Sequence, residues 1–302
     1  MSSIPQRENM PSLSHPQLSQ RLFLTIALIT SVLVATAIYA AMQGDMPALS
    51  GAVLGGGAAA LATGLGTLPV LFSWNPSQRM HDAMLGFGAG VMLAACAFSL
   101  IIPGLDAATS LGAGKWAASS TIGAGILIGA AALLLIDRML PHEHFIKGVE
   151  GSRSLQIKRV WLFVIAIALH NLPEGLAIGV AFAGPDAASA RALAAGIAMQ
   201  DIPEGLVVAL AMRGVGYGRG LSVGVAVFSG LVEPLMAIFG VLVVAFSAAL
   251  LPWGLALAAG AMLFVISHEI IPESHREGHE SWATGGLMIG FVIMMLLDTA
   301  LG

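Results

Sequence analysis

The stretch that decides the fold is "VWLFVIAIALHNLPEGLAIGVAFA", residues 160–183. Its polar segment "HNLPEG" at 170–175, called a cassette below, lies in the middle of a long apolar run. A bilayer core about 30 Å thick is crossed by a helix of roughly 20 apolar residues. A second cassette of the same kind, "QDIPEG" at 200–205, lies within the next apolar run. Two such runs in succession predict membrane helices that carry polar groups for a purpose other than folding.

The composition of the whole chain agrees with a membrane protein. Of the 302 residues, 57% are hydrophobic and only 10% are charged, which exceeds what a soluble core needs. Continuous apolar runs disfavour a β-barrel, whose strands alternate, and the single cysteine excludes disulfides. We therefore predict an all-α polytopic helix bundle. The candidate membrane helices are 22–42, 48–73, 83–104, 116–136, 160–183, 188–212, 220–246, 251–271 and 283–301.

Lys and Arg residues predict how the bundle is oriented, because cytoplasmic loops carry an excess of both. With a cytoplasmic amino terminus, eleven of the thirteen basic residues fall on the cytoplasmic side, and only Lys115 and Arg191 fall on the other. The carboxyl terminus is therefore predicted to lie outside the cytoplasm.

Several segments are distinct from the core helices. Residues 1–21 are polar and predicted to be a disordered cytoplasmic terminus. The run at 22–42 predicts an extra amino-terminal membrane helix before a core at 48–302, although its basic flank is also compatible with a cleaved signal peptide. Two polar cytoplasmic loops are predicted, at 138–159 and 272–282.

The polar residues of the cassettes are spaced to share a helix face. His170 and Glu174 are four residues apart, which places them on one face about 6 Å apart along the axis. The second cassette repeats this spacing in the run at 188–212, and a Glu-Pro pair follows in the run at 220–246. Three predicted helices therefore bring candidate ligands to one depth. The prolines free backbone carbonyls and predict kinks. The side chains concerned are His170, Asn171, Glu174, Gln200, Asp201, Glu204 and Glu233.

The cost of burying charge favours a metal site at this depth. Each ionised carboxylate at the centre of a membrane helix costs about 2.5–3.5 kcal/mol. Four are present, and no Lys or Arg lies at that depth to pair with them. Two divalent cations would neutralise all four. Imidazole, carboxylate, amide and thioether ligands suit Zn²⁺, Cd²⁺, Fe²⁺, Mn²⁺ or Co²⁺ better than Cu(I). Ligands supplied at mid-membrane by proline-interrupted helices are typical of transporters.

The two cassettes and the following Glu-Pro pair resemble the metal-centre pattern of the ZIP family of divalent metal transporters, most closely its bacterial members. The resemblance covers about residues 48–302. It implies an eight-helix core in a bacterial inner membrane that moves Zn²⁺ or Cd²⁺, and with them Fe²⁺ or Mn²⁺, into the cytoplasm. It also implies that the seven side chains above surround two ions, with Glu174 and Glu204 bridging both. Many members have His where this chain has Gln200, which leaves the preference for zinc open.

Other residues are weaker candidates. Met92, in "GAGVMLAAC", resembles a methionine near that centre in bacterial relatives, although methionine usually packs. Ser99 and Asp298 are candidates for the entrance; a serine bonded to its own backbone and a solvated end charge are the competing interpretations. Polar loop residues are candidates for receiving or sensing the metal on exit, or are simply solvated: His268, Glu269, His275, His279, Asp137, His142 and His144.

Three rival functions remain open from the sequence. A metal exporter driven by proton antiport uses similar ligands, and a proton relay uses intramembrane carboxyls without metal. An intramembrane metalloprotease needs H-E-x-x-H on a helix, which neither "HEHF" nor "HEIIP" supplies. We therefore expect a transporter rather than an enzyme. The expected partners are divalent ions and lipid, with a homodimer as a candidate assembly, and neither an organic cofactor nor nucleic acid.

Overall fold

A computed structural model describes residues 47–72, 76–139 and 153–301. These residues form eight helical spans long and apolar enough to cross a membrane, and none of them forms a strand. The predicted all-α membrane bundle is confirmed. The predicted helix at 22–42, the terminus at 1–21 and most of the loop at 138–159 lie outside the described residues.

The spans are α1 (Pro47–Gly66), α2 (Gln78–Ala94, continued by a π-helix at Ala95–Ile101 and by Ile102–Ser110), α3 (Lys115–Met139), α4 (Arg153–Ala183), α5 (Ala187–Gly214), α6 (Arg219–Gly230 and Val232–Phe246), α7 (Leu251–Val265, continued by a π-helix at Ile266–Ile270 and by Ile271–Ser274) and α8 (Glu280–Leu301).

Several helices extend beyond the apolar runs that predicted them. The second helix begins at Gln78 rather than at residue 83, because the side chain of Ser77 caps it by accepting a hydrogen bond from the Met80 N–H at 3.4 Å. The fifth begins after Asp186, whose carboxylate accepts hydrogen bonds from the N–H groups of Ala188 and Ser189. These bonds, together with one from the Ser189 hydroxyl, lower the pKa of Asp186. Capping therefore sets helix ends that hydropathy alone misses.

The helices pack as two groups. The pairs α1–α5, α4–α6 and α1–α6 make extensive contacts within one group, and α2–α8 and α3–α7 do so within the other. The groups meet where α4 packs on α7 and where α2 packs on α5. Buried apolar side chains from both groups form one continuous core. Both polar cassettes and the Glu-Pro pair belong to the first group.

The glycines that end the two cassettes allow helices of the first group to approach closely. A Cβ on Gly175 would overlap the backbone carbonyl of Glu233, and a Cβ on Gly205 would overlap the carbonyl of Thr63. Small residues at such positions are how membrane helices come into backbone contact. The contact at Gly175 holds the backbone of Glu233 directly beside the first cassette.

The prolines affect their helices differently. The fourth and fifth helices continue through Pro173 and Pro203, whereas α6 is interrupted at Leu231, three residues before Pro234. A proline removes the hydrogen bond to the carbonyl four residues earlier, here that of Gly230. The break places Glu233 in the first turn of the second half of α6.

Candidate metal centre

The seven polar side chains predicted to meet at mid-membrane do converge in the structure. Six of them are buried, with Glu174 and Glu233 completely inaccessible, and Glu204 is half-buried. Oxygen atoms of Glu174, Asp201 and Glu204 all lie within 4.8 Å of one another. Three carboxyl groups from two helices can therefore contact the same ion.

Amide groups position the surrounding ligands. The Gln200 side-chain amide donates a hydrogen bond to Glu174, which ties the two cassettes together. The Asn171 amide donates to the Ser229 carbonyl at 2.9 Å. Because the side-chain nitrogen of Asn171 donates this hydrogen bond, its side-chain oxygen is the atom that could bind an ion at the centre. On α6, Glu233 faces the carboxyl of Asp201 and the hydroxyl of Thr63.

The centre contains many oxygen atoms that lack a hydrogen-bond partner. Within the described part of the chain, eight buried oxygens of the cluster have none, and they belong to Asn171, Glu174, Gln200, Asp201, Glu204 and Glu233. An unpaired buried polar group costs about 1–3 kcal/mol, and a charged one costs more. A cluster consisting almost entirely of acceptors, with carboxylates facing each other, requires cations or protons between them. The oxygen atoms of this cluster are therefore suited to bind divalent metal ions.

A cavity of about 310 Å³ connects the centre to one face of the bundle. Met92, His170, Gln200 and Glu204 line its inner end, and Arg276 lines its mouth together with the beginning of α2 and the end of α7. Asn171, Glu174, Asp201 and Glu233 do not line it. The candidate ligands thus divide into a set that lines the cavity and a set that does not. The mouth is on the face predicted to be cytoplasmic.

Side chains of the second helix group reach the candidate centre at two points. The fully buried Met92 of α2 lines the cavity beside His170. From the π-helix of α7, the Glu269 carboxylate lies 3.0 Å from the Nε2 of His170. Glu269 is thus a carboxylate of the second helix group that contacts His170 directly. No local pattern in the sequence pairs these two residues, which lie in different helix groups.

The remaining predicted residues are placed as follows. The Ser99 hydroxyl donates to Asp298 at 2.5 Å, which joins the two entrance candidates outside the cavity. His268 stacks on Phe264, with ring centroids 4.9 Å apart, and lines the cavity. His275 contacts Ser274, the Ile271 carbonyl and Thr284. The residues His142 and His144 and the side chain of Asp137 lie outside what the structure describes.

Sequence reasoning missed three polar residues that the structure places near these sites. Thr63 of α1 faces Glu233. At the start of α2, His81 and Asp82 lie beside His279, which precedes α8. The adjacent His-Asp pair at the beginning of a membrane helix was the available signal, but its partner is almost two hundred residues away in the chain.

Comparison with known proteins places the chain among metal transporters. The family model described as ZIP zinc transporter matches residues 142–298. The zinc transporter ZIPB of Bordetella bronchiseptica is 51% identical, over 96% of this chain and 94% of the relative. The zinc transporter GufA of Myxococcus xanthus is 47% identical over 81% of this chain and 96% of the relative. The human zinc transporter ZIP11 is 31% identical over 80% of this chain and 94% of the relative.

Proposed function

The chain belongs to the ZIP family of zinc transporters and is a multi-pass membrane transporter of divalent metal ions, and from that premise we propose that it imports Zn²⁺ into the cytoplasm through a centre for two ions. The observation that carries the proposal is the set of eight unpaired buried oxygens in the cluster, two of which belong to Gln200 and Glu204, residues that line the cavity. The proposed ligands are His170, Asn171, Glu174, Gln200, Asp201, Glu204, Glu233 and Met92.

The division of the ligands supports two ions with different exposure. One ion would be held at the cavity by His170, Gln200, Glu204 and Met92, which line it. The other would lie deeper, among Asn171, Asp201 and Glu233. Glu174 and Glu204 would bridge the two ions; one oxygen of each lies within 4.8 Å of the other and of an Asp201 oxygen, which supports this assignment. Two divalent ions would balance the four carboxylates.

The position of the cavity supports release toward the cytoplasm. Its mouth is on the face that the basic residues mark as cytoplasmic, so an ion at His170 would leave in that direction. An inside-negative potential favours this movement by about 4.6 kcal/mol for a divalent ion at 100 mV. We propose a bacterial inner-membrane location with both core termini outside. The named relatives are all transporters, and we propose transport without enzymatic chemistry.

The direction of transport can be tested in bacterial cells that lack their own zinc importers. Cells that express this protein should accumulate radioactive zinc faster than cells with an empty vector, and collapsing the membrane potential should slow the accumulation. Competition by Cd²⁺, Fe²⁺ and Mn²⁺ would rank the accepted ions. Accumulation below the vector level would instead indicate an exporter and would refute the proposed direction.

Replacement of Gln200 by histidine tests the ligand that distinguishes this centre from that of many relatives. An imidazole at this position would add a stronger ligand for zinc than an amide oxygen. We expect Gln200→His to tighten zinc binding by roughly tenfold or more, as ligand changes commonly alter metal affinity, and to slow release. Calorimetry in detergent would give the affinity and uptake would give the turnover. Unchanged affinity for both Zn²⁺ and Cd²⁺ would show that residue 200 is not a ligand.

A further inference from the structure

A second cavity, of about 680 Å³, lies at the end of the bundle opposite to the first. It is lined by the beginning of α1, the end of α4 and the beginning of α5, all of which belong to the first helix group. Phe182, near the end of α4, lines this cavity, whereas Leu162 and Phe163, near the beginning of that helix, line the first. The second cavity therefore lies on the side of the membrane that is predicted to be outside the cytoplasm.

The wall of the second cavity is apolar and consists mainly of small residues. Nine of its fourteen lining residues are glycine or alanine, so no large side chain fills the space between α1 and α5. Only two of the lining residues have polar side chains, Ser50 and Arg191. The Ser50 hydroxyl donates to the Pro47 carbonyl at 2.8 Å, which satisfies it within its own helix. Arg191 is therefore the one charged group on an otherwise apolar wall.

The apolar wall continues along α1 toward the middle of the membrane. Leu54, which lines the cavity, is 74% exposed, and Leu61 and Leu65 are 71% and 57% exposed. With the exposed Ala58 they follow one another at intervals of four, three and four residues, which places them on one helix face. This stripe is about 16 Å long at 1.5 Å per residue. It thus covers roughly half of a 30 Å bilayer core, the depth that the acyl chains of one leaflet occupy.

The guanidinium of Arg191 is available to a ligand. It is exposed, and it makes no hydrogen bond or ion pair with any other described residue. The acid on which it acts, Asp186, accepts hydrogen bonds from Ala188 and Ser189, and Arg191 contributes least to the lowered pKa of that carboxyl. A guanidinium binds phosphate oxygens in a bidentate manner. Arg191 also lies on the side of the membrane that carries few basic residues, so an anion there has few other partners.

We propose that the second cavity binds one anionic phospholipid of the outer leaflet, with its phosphate at Arg191 and one acyl chain along the exposed stripe of α1. A free phosphate would match Arg191 but would leave the apolar wall in contact with water. A zwitterionic lipid would bring a second cation to a cavity whose only charged group is already positive. An anionic phospholipid satisfies both parts of the wall. It would contact α1 and α5 together, and α5 carries the candidate ligands Gln200, Asp201 and Glu204.

Native mass spectrometry of the full chain in detergent without metal tests the headgroup. Phosphatidylglycerol should bind one per chain, about tenfold more tightly than phosphatidylcholine with the same acyl chains, since hydrogen bonds between charged groups are the stronger ones. Arg191→Gln should remove this preference. Lys115→Gln is the matched control, because Lys115 is an exposed basic residue predicted to lie on the same side but does not line the cavity, and it should retain the preference. Ala58→Trp, which fills the exposed side of the cavity, should weaken phosphatidylglycerol binding although Arg191 is present.

A second measurement locates the acyl chain. Phosphatidylglycerol with a photoreactive diazirine at the end of one chain should label α1 near Leu61 and Leu65 more than the exposed face of α8 at Met288 and Val292, which reports ordinary contact with lipid. Arg191→Gln should lower the labelling of α1 to that of α8.

Three results would each overturn the proposal. They are equal affinity for the two lipids, an equal effect of Arg191→Gln and Lys115→Gln, and displacement of the lipid by excess inorganic phosphate, which would show a phosphate site without a lipid. Equal labelling of α1 and α8 would likewise contradict the position of the chain. All of these measurements are made without metal, so this proposal and the proposed function can fail separately.

Discussion

Zinc uptake by the Glu174→Gln variant is expected to fall at least ~100-fold below that of the wild type. Glu174 is completely buried, and one of its oxygens is within 4.8 Å of ligand oxygens from Asp201 and Glu204. Loss of an outer partner of a metal ligand alone costs about 10–100-fold in affinity, and loss of a bridging ligand removes more. Initial rates of zinc uptake into proteoliposomes measure the effect directly.

The same substitution should make the metal-free protein more stable. In the metal-free centre, carboxylates face one another and the Gln200 amide donates to only one oxygen of Glu174, and neutral glutamine removes one charge at almost the same volume. The melting temperature without metal should therefore rise, and the increase that zinc produces in the wild type should shrink. Asp106→Asn is the control, since Asp106 is an exposed carboxyl on the same chain. Wild-type uptake by Glu174→Gln would rule out the proposed centre.

Replacement of Gly205 by alanine is expected to destabilise the protein by about 1–3 kcal/mol, the usual cost of overpacking, and to impair uptake. A Cβ at this position would overlap the carbonyl oxygen of Thr63, a backbone atom that cannot rotate away. The first helix must then move away from α5, and Glu204 is the residue immediately before the glycine. Thermal unfolding in detergent would show the loss as a lower melting temperature.

Gly57→Ala provides the matched comparison for this variant. It makes the same chemical change on α1, but nothing lies within 4 Å of a Cβ at residue 57. Alanine in a helix is favoured over glycine by roughly 0.5–1 kcal/mol, so this variant should be as stable as the wild type or slightly more stable. Equal melting temperatures for the two variants would mean that the close contact at Gly205 does not support the bundle.

Close backbone contacts between helices explain why each cassette ends in glycine in addition to containing acidic residues. Gly175 allows the backbone of Glu233 to lie against the first cassette, and Gly205 allows Thr63 to lie against the second. Each cassette therefore carries candidate ligands and also allows the close approach of the neighbouring helix. A carboxylate in a membrane helix without such a neighbour would face lipid at full cost.

The apolar runs and cassettes were sufficient to predict the class of fold and the eight spans of the described residues, and they indicated the residues from which we propose that the centre is built. These features are local: hydropathy over about 20 residues marks a span, and a separation of four residues places two side chains on one helix face. His170 and Glu174 could therefore be paired from their spacing. Four acids at one depth without Lys or Arg could be interpreted as a cation site from charge alone.

Contacts between distant segments determined everything that depends on how the helices pack. The contact of Glu269 with His170 and the face onto which the cavity opens both arise between helix groups. The pairing of Asp82 with His279 joins residues 197 positions apart. A periodic pattern specifies which face of a helix is polar, but the partner of that face depends on side-chain volume and backbone approach, which no single helix encodes.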